Sequence, residues 1–371
     1  MNIPLSKPDI TQKEIDSVTE VLKSGILSIG PKVSEFEKKI EEYIGVGNAI
    51  AVNSGTSGLH LLVKAHRIKA GDEVITTPFS FVASANCILF EGAKPVFADI
   101  CPDTFNINTA LIEDKITENT KAILAVDVFG NPVDIQGLRK IAEKYRLLLL
   151  EDSCEALGSE YNGIKCGSGS DGAVFAFYPN KQITTGEGGM IVTDNDEIAG
   201  LCRSYRSQGR AVTGLWLEHE RLGYNYRLSE LNAALGSAQM DRLDEIIEKR
   251  SRAAQIYNER LSAEREITVQ HIPPEVTGIS RFVYVIRLDS SIDRNKVMRH
   301  LINNGVACKP YFTPLHLQPY FKKMFGYREG DFPVTEKVAA STVALPFFND
   351  ITDEQIDYVV SVLKEGIAAG R

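Results

Sequence analysis

Three short stretches of this chain gather residue types suited to carbonyl and anion chemistry. In FAFYPNKQITTGEGGMIVT (175–193), Lys181 stands between an aromatic-rich apolar run and a loop carrying Thr184, Thr185, Gly186, Gly188 and Gly189. A loop lysine is ordinarily solvated. This one follows a run that reads as a central strand, and its small neighbours let a ligand approach closely. An amine partly withdrawn from water in such a place becomes a nucleophile toward carbonyls. In LLLLEDSCEALGS, Asp152 ends an apolar run. Ligands of open α/β sheets bind beyond the C-terminal ends of strands, and a carboxylate there is costly to desolvate without a partner. Taken alone, Asp152 reads equally well as a helix cap or a paired core acid. In VNSGTSGLH, the small residues Ser54 to Gly58 sit between a strand-like run and a helix-like one. Backbone N–H groups and hydroxyls at a helix N-terminus suit an anion, and they suit plain capping as well. The pattern is neither Walker A nor GxGxxG.

Positioning these groups requires a sheet whose strand ends converge. Strand-like runs recur as AIAV (49–52), EVITT (73–77), PVFADI (95–100), KAILAV (121–126), LLLLED (147–152), GAVFAF (172–177) and MIVT (190–193), with turns and helical patterns between several of them. Continuous apolar strands alternating with helices read as a mostly parallel sheet covered on both faces. Ahead of them, Thr11 with Glu14 and Ser34 with Glu37 have the spacing of capping boxes, predicting helices that end near Gly25 and Gly45. After about residue 225 a long helical pattern begins, with a kink expected near Gly236. RFVYVIRL and VACKPYF read as strands, DRNKVMRHLINNG and TDEQIDYVVSVLKEG as helices. The expected fold class is α/β: a large domain (1–240) with a mostly parallel mixed sheet sandwiched by helices, and a smaller α+β C-terminal domain (241–371).

Composition narrows the function classes. The 371 residues are 43% hydrophobic and 24% charged, with a net charge of −8. An acidic balance argues against a general nucleic-acid or anionic-membrane binder. The N-terminus lacks a signal-peptide pattern, and no run is long enough to span a membrane. Six scattered cysteines without CxxC, and six histidines without HExxH, predict neither a disulfide framework nor a metal site. The expectation is a cytoplasmic protein.

An anion cradle, a strand-end aspartate and a nucleophilic lysine are together the set that pyridoxal phosphate needs. The lysine condenses with its aldehyde, the aspartate keeps the ring nitrogen protonated, and the cradle holds the phosphate. The whole chain resembles the DegT/DnrJ/EryC1/StrS family of nucleotide-sugar aminotransferases, which share the aspartate-aminotransferase fold. The resemblance rests on IPLSKPDITQKEIDSVTEVLKSG, GPKVSEFEKKIEEYIG, NSGTSGLHL, GDEVITTPFSFVASAN, EDSCEALGS, NKQITTGEGGM, RSQG and GYNYRLSELNAALG.

The resemblance implies a role for each matching position. Lys181 is the cofactor lysine and Asp152 the partner of the pyridinium nitrogen. Glu155 lies near the cofactor ring, where relatives carry Gln, His or Glu. Gly55 and Thr56 form the phosphate turn, Phe81 stacks on the pyridine, and Asn225 reaches the phosphate of the neighbouring subunit. His316, in FTPLHLQP, belongs to a segment that lines the sugar site. One departure is Ala176, where many relatives have a phosphate-contacting serine; Ser54, Thr56 or Ser57 could supply that contact. The implied reaction moves an amino group from glutamate to a nucleotide-linked 4-keto-6-deoxy sugar, with pyridoxamine phosphate formed midway, in a homodimer with shared active sites. Glu155 resembles the C4 enzymes, whereas Gln resembles the C3 enzymes. Sugar dehydratases of the family carry histidine in place of Lys181, and regulatory aminotransferase-fold proteins attach a DNA-binding segment not seen here.

Overall fold

The computed structural model describes residues 1–211 and 218–371. Its strands are β1 (Asn48–Val52), β2 (Glu73–Thr76), β3 (Lys94–Phe97), β4 (Thr120–Val126), β5 (Leu148–Asp152), β6 (Glu160–Tyr161), β7 (Ile164–Lys165), β8 (Gly172–Ala176), β9 (Gly189–Thr193), β10 (Ile267–Val269), β11 (Val276–Gly278), β12 (Tyr284–Leu288) and β13 (Thr342–Leu345). Seven of them form the main sheet in the order β1-β9-β8-β5-β4-β2-β3. The pairings from β3 through β2, β4 and β5 to β8 are parallel, and β9 runs antiparallel to both β8 and β1. The expected mixed, mostly parallel sheet is therefore present.

Alternation along each strand covers both faces. Leu150, Leu124 and Val174 pack under the helices Gly55–Ala65 and Ala83–Phe90, while Leu149, Ile123 and Ala125 pack on the opposite side with Leu138 and Ile141 of the helix Ile135–Tyr145. Successive side chains of a strand point to opposite faces, so a run that is apolar at every position needs cover on both sides. In register, Val126 lies beside Asp152 and Asp152 beside Val174. The parallel strands thus end together, which sets up a common rim.

A second sheet, β10-β12-β13, is antiparallel and backed by the helices Leu243–Leu261, Arg294–Asn303 and Asp353–Gly370. Its core joins Tyr257, Ile286, Leu301, Val343 and Leu363, and it also takes in Ile3 from the far N-terminus. The Ile3 amide donates to Gly305 (2.8 Å) and Leu5 accepts from Phe347 (2.9 Å). The start of the chain is thereby tied to the C-terminal part. Among the described residues, no helix is long and apolar enough to cross a membrane.

Three local expectations are corrected. The Thr11–Glu14 capping box is present, but the Ser34–Glu37 one is not. That helix begins earlier, at Pro31, with Gly30 as its cap, so Ser34 lies inside it. Its open amides are met from a distance: the Glu230 carboxylate accepts from Gly30 (3.0 Å), Lys32 (2.7 Å) and Val33 (3.2 Å). Glu37 instead accepts from the Ala51 amide (2.8 Å) and from Arg206. Second, the long helix does not bend at Gly236; it breaks at Asp241 and Arg242, between Glu230–Met240 and Leu243–Leu261. Gly236 is needed for close packing, since a Cβ there would lie 2.7 Å from the Phe36 ring. Third, VACKPYF makes only single bridges, Ile3 to Val306 and Lys309 to Ala344. Beyond Pro310 the chain leaves the sheet and runs along a cavity wall.

The break at Arg242 is held by charge. Arg242 donates to Asp9 (3.1 Å) and Glu14 (3.1 Å), and Gln239 donates to Glu14 (2.9 Å). Burial raises the Glu14 carboxyl, but hydrogen bonds from Thr11, Gln239 and Arg242 outweigh it and hold the pKa at about 2.

Candidate active site

The strand ends open into a cavity of about 820 Å3, a size ordinary for a small-molecule site. Val126, Asp152 and Ala176, at or near the ends of β4, β5 and β8, line its floor. Lys181, Glu155, Gly55, Thr56 and Phe81 share the same wall. Five sequence segments separated by up to 126 positions (55 to 181) therefore meet in one place.

Asp152 is buried and oriented by two donors. Ser84 Oγ donates to Oδ2 at 2.6 Å and the Cys154 amide to Oδ1 at 3.2 Å. Ser84 in turn exchanges a hydrogen bond with Ser80 (2.7 Å). A carboxylate so held stays in one rotamer at the cavity floor. Lys181 follows β8 in a turn closed by its own amide on Tyr178 (2.9 Å). The loop after it is pinned by the Thr185 amide on Phe177 (3.0 Å) and by Thr184 Oγ1 on the same carbonyl (3.1 Å). Lys181 Nζ stands 3.4 Å from Glu155 Oε1. Glu155 is buried, and its other oxygen accepts from the Phe129 amide at 2.8 Å. Burial pushes the Glu155 carboxyl up, while Lys181 and the Phe129 amide pull it back.

The turn at Gly55 has the build of an anion seat. Ser54 caps the helix Gly55–Ala65, accepting from the Ser57 amide at 3.1 Å, and Ser57 Oγ donates to Asn53 at 2.6 Å. These two hydroxyls are engaged in capping, and Ser57 is not on the cavity wall. Thr56 is half-buried and faces the cavity. Glycine is required at 55, because a Cβ would lie 2.8 Å from the Ala176 methyl and 3.0 Å from Cys154 Sγ. The Ala176 methyl thus packs the space beside the turn. An amine, a strand-end carboxylate and free helix N-terminal amides around one cavity fit pyridoxal phosphate in chemistry and in arrangement. Phe81 is 62% exposed on the cavity lip, placed to cover a flat ring.

Two expected residues lie elsewhere. His316 does not line the cavity. A short turn at Leu315–Leu317 directs Leu315 to the wall and buries the imidazole completely, with Nε2 3.0 Å from Glu336 and the ring edge-on to Phe332. Burial lowers the His316 pKa despite that carboxylate. Asn225 is exposed, bridges Ser207 through its backbone, and is absent from this chain's own cavity wall.

The sequence reading missed the opposite wall. Phe282, Tyr311, Phe312, Thr313, Gln318 and Tyr320 come from the C-terminal part and close the cavity from the far side. The aromatic run in KPYFTP was the available signal, but its alternation read as a strand.

A scan against family models matches residues 8–364 to the DegT/DnrJ/EryC1/StrS aminotransferase family. GDP-perosamine synthase of Caulobacter vibrioides is 36% identical, covering 98% of both chains. Among solved structures, PseC of Helicobacter pylori, an aminotransferase involved in pseudoaminic acid biosynthesis, superposes with a TM-score of 0.94 at 30% identity over 100% of each chain. Spr1654 of Streptococcus pneumoniae, described as a sugar aminotransferase and solved in PLP and PMP forms, gives 0.95 at 28% identity, again over 100% of each chain. The chain belongs to the DegT/DnrJ/EryC1/StrS aminotransferase family.

Proposed function

We propose that this chain is a pyridoxal-phosphate-dependent aminotransferase that carries an amino group from glutamate to C4 of a nucleotide-linked 4-keto-6-deoxy sugar. The observation that carries the reading is the meeting of Lys181, Asp152 and Glu155 beside an anion seat on one cavity wall. The named activities of the relatives support a sugar nucleotide as acceptor. The bound cofactor supplies an electron sink for the carbon that bears the amine.

The chain's own residues do the rest. Gly55, Thr56 and the helix behind them would hold the phosphate, Phe81 would cover the ring, and Asp152 would hold the positive charge at the ring nitrogen. Lys181 would hold the cofactor covalently, and its Nζ would be the group that takes the proton from the donor's α-carbon and returns one to the sugar carbon, as base and then as acid. Glu155, 3.4 Å away, keeps that amine aimed into the cavity. Because the amino group would stay with the loaded enzyme while the donor's keto product leaves and the sugar enters, the kinetics should be ping-pong.

The reading includes a cytoplasmic homodimer, with a large domain (1–240) and a small one (241–371), in which Asn225 of the partner subunit completes each phosphate site. Its exposed position off its own cavity supports this, as do Ile26, Leu27 and Ile29, which are 51%, 46% and 67% exposed. Mixing inactive Lys181→Ala and Asn225→Ala chains should restore part of the activity, since a heterodimer collects both lesions in one site. No recovery despite subunit exchange would remove the shared-site element.

The deciding experiment supplies glutamate and a panel of 3-keto and 4-keto nucleotide sugars, and identifies the aminated carbon by NMR. Amination at C4 is expected. Amination at C3, with 4-keto sugars untouched, would overturn the position and leave the aminotransferase reading standing.

A further inference from the structure

Lys181 has a second neighbour besides Glu155. Its Nζ lies 4.0 Å from the centre of the Phe282 ring, which comes from the C-terminal part of the chain. A lysine ammonium within about 6 Å of an aromatic face is attracted by the ring quadrupole. Phe282 is almost fully buried and cannot swing away freely. Its ring lies near Tyr311 and Phe129. Its carbonyl accepts from Arg250 at 2.6 Å, and the carbonyl of Arg281 accepts from the same guanidinium at 2.6 Å.

Gln182, the residue after the lysine, ties both neighbours together. Its side-chain amide donates to the Glu155 carbonyl (2.6 Å) and to the Ser280 carbonyl (2.7 Å). On the same stretch, the Ser280 amide donates to Ser159 Oγ (2.8 Å). One amide therefore fixes the segment bearing the carboxylate and the segment bearing the ring, each directly beside the lysine. Simple packing of the two parts would not require a ring face and a carboxylate to converge on a single amine.

We infer that Phe282 and Glu155 form a holding place for the Lys181 amine whenever it is not covalently engaged, which makes Phe282 a positioning residue for the transfer. This rests on the reading of Lys181 as the mobile base. Once freed, a lysine on four rotatable carbons would otherwise wander. A holding place keeps Nζ within reach of the reacting carbons, and the part of the chain that closes the far wall supplies half of it.

Reductive [13C]methylation of the full-length apoenzyme tests the geometry. The Lys181 N-methyl signal, assigned by its loss in Lys181→Arg, should be displaced upfield of the other lysine signals by the ring current of Phe282. Phe282→Leu should return it to the bulk position, and Phe282→Tyr should keep it displaced. In the loaded enzyme, the single-turnover rate with glutamate should fall roughly five- to tenfold in Phe282→Leu, the size an ordinary cation–π contact supports. Phe282→Tyr should stay within about twofold of wild type, a small part of that contact; donor affinity should be unchanged, and Phe282→Leu should lower Tm because it removes buried ring carbons. A wild-type signal at the bulk position overturns the inference without any variant having to fold. So does an unchanged rate in a folded Phe282→Leu. Failure of the underlying reading looks different, because Lys181→Ala would then keep its activity.

Discussion

Glu151 and Asp152 are adjacent on one strand and live in opposite circumstances. Asp152 shares the Leu150 face, opens on the cavity and is held by Ser84 and the Cys154 amide. Glu151 shares the Leu149 face and is sealed behind the site with Asp127 and Cys166, their ligand-capable atoms within 4.8 Å of one another. Among the described residues no cation forms an ion pair with this cluster, and Arg139 draws on Glu151 only from a distance. Lys165 donates to the Tyr43 carbonyl and lies over the Tyr43 ring, while Arg139 pairs with Asp171 and the Gly169 carbonyl. Ser153, the Val133 amide and the Gly167 amide donate to it, and among the described residues Glu151 Oε2 has no hydrogen-bond partner. Burial, with the like charge of Glu151, pushes the Asp127 carboxyl up to about 8, and burial raises Glu151 as well. The lesson concerns access and partners. Two adjacent acids become a cavity-facing carboxylate and a member of a sealed, proton-retaining cluster because the strand turns them to different environments.

The comparison breaks most visibly at the cavity side. Lys181→Ala should lower transfer by at least roughly 10⁴-fold, the upper range for a positioned acid–base group. It should also remove the covalent link, seen as loss of borohydride-fixed cofactor by mass spectrometry. Near-normal turnover would end the assignment. Asp152→Asn should lower kcat by roughly 10²- to 10³-fold, the scale for losing one aimed electrostatic partner. A kcat within about threefold, under about 1 kcal/mol, would place Asp152 with Glu151 as a structural acid.

The sealed pair should respond in stability and not in chemistry. Asp127 has a folded pKa raised to about 8. The unfolded carboxyl ionises near 4, so stability falls as pH rises through the window between these values and the loss is complete above about 8. Asp127→Asn removes the charge and keeps the oxygen that accepts from Val133. It should stabilise by little at pH 4 and increasingly as pH rises toward 8. Thermal melts of both forms across that range check this. A stabilisation independent of pH would remove ionisation as the cause.

Glu14 sharpens the contrast, because it is equally buried but surrounded by donors. Its folded pKa is depressed to about 2, so its contribution is present above the ordinary carboxyl range and lost as pH falls through that value. Glu14→Gln should cost about 2 kcal/mol at pH 7, the scale of a charge-assisted hydrogen bond. The deficit should shrink between pH 4.5 and 2, and catalysis should not change.

Much of the molecule was legible. Most main-sheet strands declared themselves as largely apolar runs, a pattern that two-sided cover explains. Lys181, Asp152 and the Gly55 turn were visible because strand ends and helix starts are local events, whereas Glu155 stood out only through the family resemblance. The misreadings share one physical root. Ser34 looked like a cap because the acceptor that meets the helix's open amides, Glu230, lies about 200 positions away (30 to 230). Gly236 looked like a hinge because its demand for space comes from Phe36. His316 looked available because nothing local reveals Glu336.

By itself the sequence determined the layered α/β class, the three site stretches and the family resemblance, since periodicity and local chemistry are written in neighbouring residues. Only the tertiary structure decided which of two adjacent acids faces the cavity, that His316 turns inward, and that Phe282 meets Lys181. Those outcomes depend on side chains brought within a few ångströms from distant positions, and burial and electrostatic pairing act on that distance, whatever the separation along the chain.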